Sequence, residues 1–166
     1  MAGTLYKRVE LLANIAIILV AILIVGVLVQ RYFFSPTVKP PPTIAIGSKV
    51  SLPAVDWAAN RKTLVLALQT SCHFCTESAP FYQHLVQAAA AKDVKLVAVL
   101  PQPPNEGHDY LNKLSVPISD VRQATLSSLS VAGTPTLIMV NEKGEVAGVW
   151  VGKLPSDKET ELLAKL

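Results

Sequence analysis

Only two residues in the chain of 166 are cysteine, Cys72 and Cys75, and no third thiol is present to bridge to either. A structural zinc site fits poorly, because it needs about four ligands, commonly as two such pairs. The remaining candidates, His73, His84 and His108, do not form a second pair. Histidine is absent directly after Cys75, where Thr76 stands, so the pattern for covalent haem attachment is missing. Charge of one sign is scarce too: 15 basic and 12 acidic side chains leave a formal net charge of +3. Setting aside Lys7, Arg8 and Glu10 near the N-terminus, the balance stays close to even, with no basic stripe for nucleic acid. No internal repeat is present.

Charge is absent altogether from "LLANIAIILVAILIVGVLV", residues 11–29, where Asn14 is the one strongly polar residue. As a helix these residues span about 28 Å, close to the roughly 30 Å hydrocarbon core of a bilayer. Tyr6, Lys7 and Arg8 before the run and Arg31, Tyr32 and Phe33 after it suit the membrane interface. A cleaved signal peptide would have a shorter apolar region and a small-residue cleavage site, and "QRYFFSP" follows instead. The expected organisation is a flank at 1–10, a transmembrane anchor at 11–30, a proline-rich linker at 31–43 and one domain at 44–166. Lys7 and Arg8, opposed by Glu10, favour a cytoplasmic N-terminus by a small margin over Arg31 and Lys39. Four prolines in "SPTVKPPPT", residues 35–43, favour extended geometry and hold the domain off the bilayer.

Residues 44–166 alternate strand-like and helix-like segments. "KTLVLAL" (62–68) and "VKLVAVLP" (94–101) are continuous apolar runs of the kind buried on both faces of a sheet. Residues 75–92 read as a helix, with Phe81, Leu85 and Ala88 or Ala89 on one face. Helices are also expected over 105–114, with Asn105 as a candidate cap, and over 119–131, with Ser119 as a candidate cap. Two apolar runs around "NEKGE" predict a hairpin over 135–152. Ser156, three residues before Glu159, marks a capping box for a last helix at 156–166. The pattern predicts an α/β domain with a central mixed sheet covered on both faces.

In that arrangement Cys72 follows a buried strand and opens a helix. A helix N-terminus offers unpaired N–H groups and partial positive charge, which favour a thiolate. Cys72 is therefore the expected nucleophile and Cys75 the resolving thiol. A static disulfide across two intervening residues closes too small a loop to stabilise the fold much.

Three stretches resemble the thioredoxin superfamily, in particular its membrane-anchored TlpA-like branch. Cys72-His73-Phe74-Cys75 follows a buried strand, with Pro80 five residues after the second cysteine; "GTPT" (133–136) matches the cis-proline loop; and "VNEKGEVAGVWVGKL" resembles the last hairpin, with Gly152 near the substrate face. The resemblance covers residues 44–166. It implies a thioredoxin-like fold, a cis Thr134–Pro135 bond lying against Cys72, and binding of an extended client segment along Thr134 and Pro135.

The departures bear on redox tuning. Ser71 stands where thioredoxin has tryptophan, His73-Phe74 where it has Gly-Pro, and Leu66 where it has a buried aspartate. His73 is either a partly protonated imidazole that stabilises the Cys72 thiolate or an exposed residue chosen for shape. Phe74 gives the site an apolar rim. Glu77 is expected in the first turn of the helix, where a carboxylate suits the dipole. Trp57 and Trp150 are expected to pack or to line the rim.

The expected protein is a single-pass thiol–disulfide oxidoreductase of the inner (cytoplasmic) membrane, its redox domain on the periplasmic or extracellular side. It needs no cofactor beyond the Cys72–Cys75 disulfide. Its partners would be client proteins with thiols or disulfides and a recycling partner, a membrane-bound one included; nucleic acid is not among them. Two rivals are a copper-binding assembly factor, since soft thiolates suit Cu(I), and a peroxiredoxin-like peroxide reductase. TlpA-like relatives are mostly reductants, whereas His73 and Leu66 favour an oxidant.

Overall fold

A computed structural model describes residue 10 and residues 14–27, 44–52 and 55–166. The chain divides into two units, Met1–Pro40 and Pro41–Leu166. In the first, residues 14–27 are helical and exposed on every side, Ile17 and Leu23 at 67% each. A helix apolar all round has no water-facing stripe. Among the described residues no helix is long and apolar enough to cross a membrane. The ends of the expected anchor, residues 11–13 and 28–30, and the linker at 31–43 lie outside the described residues.

The second unit is built on a five-stranded mixed sheet. Its strands are β1 (Lys62–Ala67), β2 (Lys95–Leu100), β3 (Val121–Gln123), β4 (Thr136–Asn141) and β5 (Val146–Val151), in the order β3-β2-β1-β4-β5. β1 runs parallel to β2 and antiparallel to β4, so Leu66 pairs with both Ala98 and Leu137. Four α-helices accompany them: α1 (His73–Glu77), α2 (Ala79–Ala91), α3 (Pro104–Lys113) and α4 (Ser156–Lys165).

The two-residue period of β1 divides the core. Leu64, Leu66 and Leu68 point to one face, where Phe81, Tyr82 and Leu85 of α2, Leu111 of α3 and Leu162 of α4 join them. Val65 and Ala67 point to the other, packed with Val97, Val99, Ile138 and Val140. That face is closed by Ile44, Val50 and Leu52 and by the turn bearing Leu129 and Val131.

The expected helix over 75–92 is two helices. α1 starts at His73, and the chain bends at Ser78, which ends α1 and opens α2. Pro80 carries no N–H and suits the first turn of a new helix. The expected helix over 119–131 is replaced by β3 and a 3-10 turn at Leu126–Leu129. Pairing with the free edge of β2 decides this: Ala98 N–H donates to Asp120 O and Ala124 N–H to Leu100 O. Thr125, not Ser119, caps the turn, accepting from Ser128 N–H at 3.3 Å.

Two caps also differ. α3 is opened by Pro103, whose carbonyl accepts from Gly107 N–H, and Asn105 lies inside the helix. α4 is opened by Pro155, whose carbonyl accepts from Lys158 and Glu159 N–H, so Ser156 forms no capping box.

The turn between β4 and β5 sets the hairpin register. Asn141 Oδ1 accepts from Lys143 and Glu145 N–H at 2.9 Å each, and Gly144 adopts φ +74°. A Cβ there would lie 2.9 Å from the Trp57 ring. Gly144→Ala is expected to cost about 1–3 kcal/mol, the scale of a non-glycine residue held in the left-handed region. Urea unfolding of the variant checks this, and an unchanged midpoint would contradict it.

Candidate active site

β1, the central strand, delivers the chain to one end of the sheet, where Leu68 N–H still donates to Val99 O. The backbone then folds back, with Cys72 N–H donating to Gln69 O at 3.0 Å. Cys72 becomes the cap of α1, in extended geometry (φ −83°, ψ 112°), and its sulfur accepts the Cys75 N–H at 3.1 Å. An oxygen side chain usually fills that position; here the acceptor is the sulfur. Cys72 is half-buried and Cys75 fully buried, and both thiols are free.

The loop before β4 closes over Cys72. The Cys72 thiol donates to Thr134 O at 3.3 Å, and the Thr134–Pro135 bond is cis. Thr136 Oγ1 donates to Gly133 O at 2.7 Å, and Gly152 N–H, just past β5, donates to Pro135 O at 2.7 Å. Gly152 takes φ +82° to make that contact. Cys72, Cys75, Thr134 and Pro135, sixty residues apart in sequence, thus form one cluster.

The two thiols differ electrostatically. Burial opposes ionisation of Cys72. Hydrogen bonding with the Cys75 and Thr134 side chains and with the Cys75 and Phe74 backbone outweighs it, and the pKa falls below the ordinary thiol value. Cys75 is pushed up to about 12, first by burial and then by its hydrogen bond to Cys72 and the charge there. The pair is therefore divided into an accessible sulfur that ionises early and a covered one that keeps its proton.

His73 lies on the open surface of α1. Its ring is 79% exposed, and Nε2 lies 3.1 Å from Glu77 Oε1. Glu77 is the last residue of α1, not in its first turn, and also pairs with Lys153 at 3.1 Å. Hydrogen bonding and charge from Lys153 lower the Glu77 pKa, with a smaller part from His73. Phe74 is 54% exposed, its ring 5.9 Å from that of His73. Trp57 packs against the hairpin turn, and Trp150 is buried with Lys165 Nζ 5.3 Å from its ring centre. Among the described residues, no group of three or more histidine, cysteine, aspartate or glutamate side chains is placed to hold a metal ion.

Sequence reasoning missed three residues. Lys153, two past the end of β5, reaches Glu77. Tyr110 of α3 meets Thr76 Oγ1 at 3.2 Å, next to the dithiol. Tyr82 of α2 is fully buried, and among the described residues its hydroxyl makes no hydrogen bond. Spacing offered a signal for the last alone: Cys75, Ser78 and Tyr82 stand at i, i+3 and i+7, one face of a helix.

Comparison with known proteins places this geometry. The model of the Redoxin family matches residues 36–166. No curated protein matches the chain. Among solved structures, a putative thiol:disulfide interchange protein DsbE from Chlorobium tepidum is 23% identical with a TM-score of 0.58, over 74% of this chain and 97% of that one. A thiol-disulfide isomerase from Corynebacterium glutamicum is 16% identical with a TM-score of 0.55, over 77% and 96%. StoA from Bacillus subtilis is 18% identical with a TM-score of 0.51, over 74% and 97%. These similarities show a shared thioredoxin-like fold.

The thiol asymmetry predicts a pH dependence. The thiolate is the reactive form, so alkylation of Cys72 is expected to rise at a pH below that of an ordinary thiol. Alkylation of Cys75 in a Cys72→Ser variant, which keeps the burial but loses the Cys72 charge, is expected to rise only at a pH above that of an ordinary thiol. Mass-spectrometric rates across pH check this; equal profiles for the two thiols would contradict it.

Proposed function

We propose, for a chain that belongs to the Redoxin family of the thioredoxin superfamily, a thiol–disulfide oxidoreductase tethered to the inner membrane that exchanges disulfides with client proteins outside the cytoplasm. The observation that carries the reading is the unequal pair: a half-buried Cys72 sulfur fed by the Cys75 N–H, and a fully buried Cys75 behind it. A structural disulfide has no use for such a division, whereas exchange through a mixed disulfide requires it.

In the reducing direction the Cys72 thiolate attacks one sulfur of a client disulfide. A Cys72–client bond forms, and the other client sulfur leaves as a thiolate. Cys75 then attacks the Cys72 sulfur, forming the Cys72–Cys75 disulfide. The Cys72–client bond breaks, and the client sulfur that Cys72 had bound leaves with the proton that Cys75 gives up. Two electrons pass from the dithiol to the client. Oxidation of a client dithiol is the reverse sequence, and a recycling partner restores the starting state in either case. No cofactor enters these steps.

The surface around Cys72 suits an extended client segment. Added Cβ atoms at Gly133 and Gly152 would meet nothing within 4 Å, and Thr134 is half-buried with Pro135 buried behind it, so a segment would approach over Gly133, Thr134 and Gly152. Phe74 and Val151, 54% and 58% exposed, supply apolar contact. Membrane attachment is supported by the uncharged run at 11–29 and by the exposed apolar faces of residues 14–27. Placement outside the cytoplasm is supported by the chemistry, since disulfides persist in oxidising compartments.

Cys75→Ser removes the resolving thiol and leaves Cys72 able to attack. Expressed in cells, this variant is expected to accumulate client adducts that a reductant releases, and the Cys72→Ser, Cys75→Ser double variant none. A Cys75→Ser protein with reactive Cys72 but no adducts would overturn client exchange.

A further inference from the structure

The resolving step poses a problem that the dithiol alone leaves open. Cys75 is fully buried, and its sulfur must carry negative charge as it attacks. Leu66, also fully buried, stands on the strand beneath it and offers neither a hydrogen bond nor a proton acceptor.

One polar group in the same core cluster is unused. Tyr82 and Cys75 are both fully exposed to the interior packed around Leu64, Leu66 and Leu85, and to no solvent. Tyr82 N–H donates to Ser78 O at 3.1 Å and Ser78 N–H to Phe74 O at 3.1 Å, so helical stacking carries across the bend between α1 and α2. Cys75, Ser78 and Tyr82 are thereby stacked on the buried face. The Ser78 hydroxyl is committed to Phe74 O at 2.8 Å. Among the described residues the Tyr82 hydroxyl makes no hydrogen bond of full geometry, its nearest polar influence being the already committed Ser78 hydroxyl, and a buried hydroxyl left unpaired is costly. Tyr110, by contrast, already holds Thr76.

We propose that Tyr82 is a positioning residue for resolution: its hydroxyl turns to donate a hydrogen bond to the Cys75 sulfur as that sulfur becomes the attacking thiolate. It stays protonated throughout. The Cys75 proton leaves with the client sulfur, so Tyr82 supplies stabilisation and takes part in no net transfer. Burial and the nearby Cys75 charge raise the Tyr82 pKa, which suits a donor and not a base. The titratable groups that act on or are acted on by Cys75 are Cys72, Tyr82 and Tyr110. This inference rests on the dithiol-exchange reading, but its first test needs no client.

In a Cys72→Ser background, adding Tyr82→Phe is expected to move the Cys75 alkylation profile to higher pH. 3-Fluorotyrosine at position 82, a stronger donor, is expected to move it to lower pH. With both cysteines present, a chromogenic aromatic thiol is loaded onto Cys72 as a mixed disulfide, and its release by Cys75 is timed. Tyr82→Phe is expected to slow release about tenfold, the scale of one hydrogen bond to a charged group, while the melting temperature holds or rises. Unchanged Cys75 profiles in both Tyr82 variants would overturn the role of the hydroxyl. Release that slows only together with a fall in melting temperature would also overturn it, in favour of packing. Failure of client exchange in cells with a shifted Cys75 profile would instead count against the proposed function alone.

Discussion

The hydrogen bond from Cys75 N–H to the Cys72 sulfur joins the fold to its chemistry. It begins α1, because the sulfur fills the capping position of an otherwise orphaned N–H. It also stabilises negative charge on that sulfur. Any change that opens the first turn of α1 therefore removes a helix cap and a thiolate ligand together. The bend at Ser78 limits α1 to His73–Glu77, so the support for Cys72 comes from individual N–H groups close at hand and little from an extended helix dipole.

The sheet brings the second half of the site to meet the first. β1 and β4 are antiparallel neighbours with Ala67 opposite Thr136, so the end of β1 that leads to Cys72 and the start of β4 that follows Pro135 lie side by side. Gly152 returns past the end of β5 and fastens Pro135 from the other side. Thr134 is held against Cys72 by three strands rather than by a free loop. The asymmetry between the thiols follows from the same arrangement: Cys72 sits at the rim with hydrogen-bond donors around it, whereas Cys75 faces the leucine-lined side of β1.

Segments with their own apolar signal were legible in the sequence. β1, β2 and the hairpin each form a continuous or nearly continuous run, and the spacing of Phe81, Leu85 and Ala89 marks the buried face of α2. β3 carried no such signal, since Val-Arg-Gln is three residues with one buried side chain, and only the open edge of β2 makes it a strand. The caps of α3 and α4 were misread because backbone carbonyls of Pro103 and Pro155 do the work that a side chain was expected to do. Cys72 and Cys75 stood out by spacing alone. His73 shows the limit of adjacency: next to Cys72 in sequence, its ring turns along the helix surface to Glu77. The spacing of Cys75, Ser78 and Tyr82 marks one helix face, but nothing in a sequence shows that the Tyr82 hydroxyl lacks a partner.

Everything in this site depends on Cys72 and Cys75 forming a working redox couple. Equilibrating the protein with glutathione buffers of stepped ratio, then counting free thiols, measures its potential directly. One reversible two-electron transition is expected between the oxidant and reductant ends of the superfamily, about −120 to −270 mV. A couple below about −300 mV, the range of disulfides kept for structure, or a dithiol that never closes on itself, would contradict it.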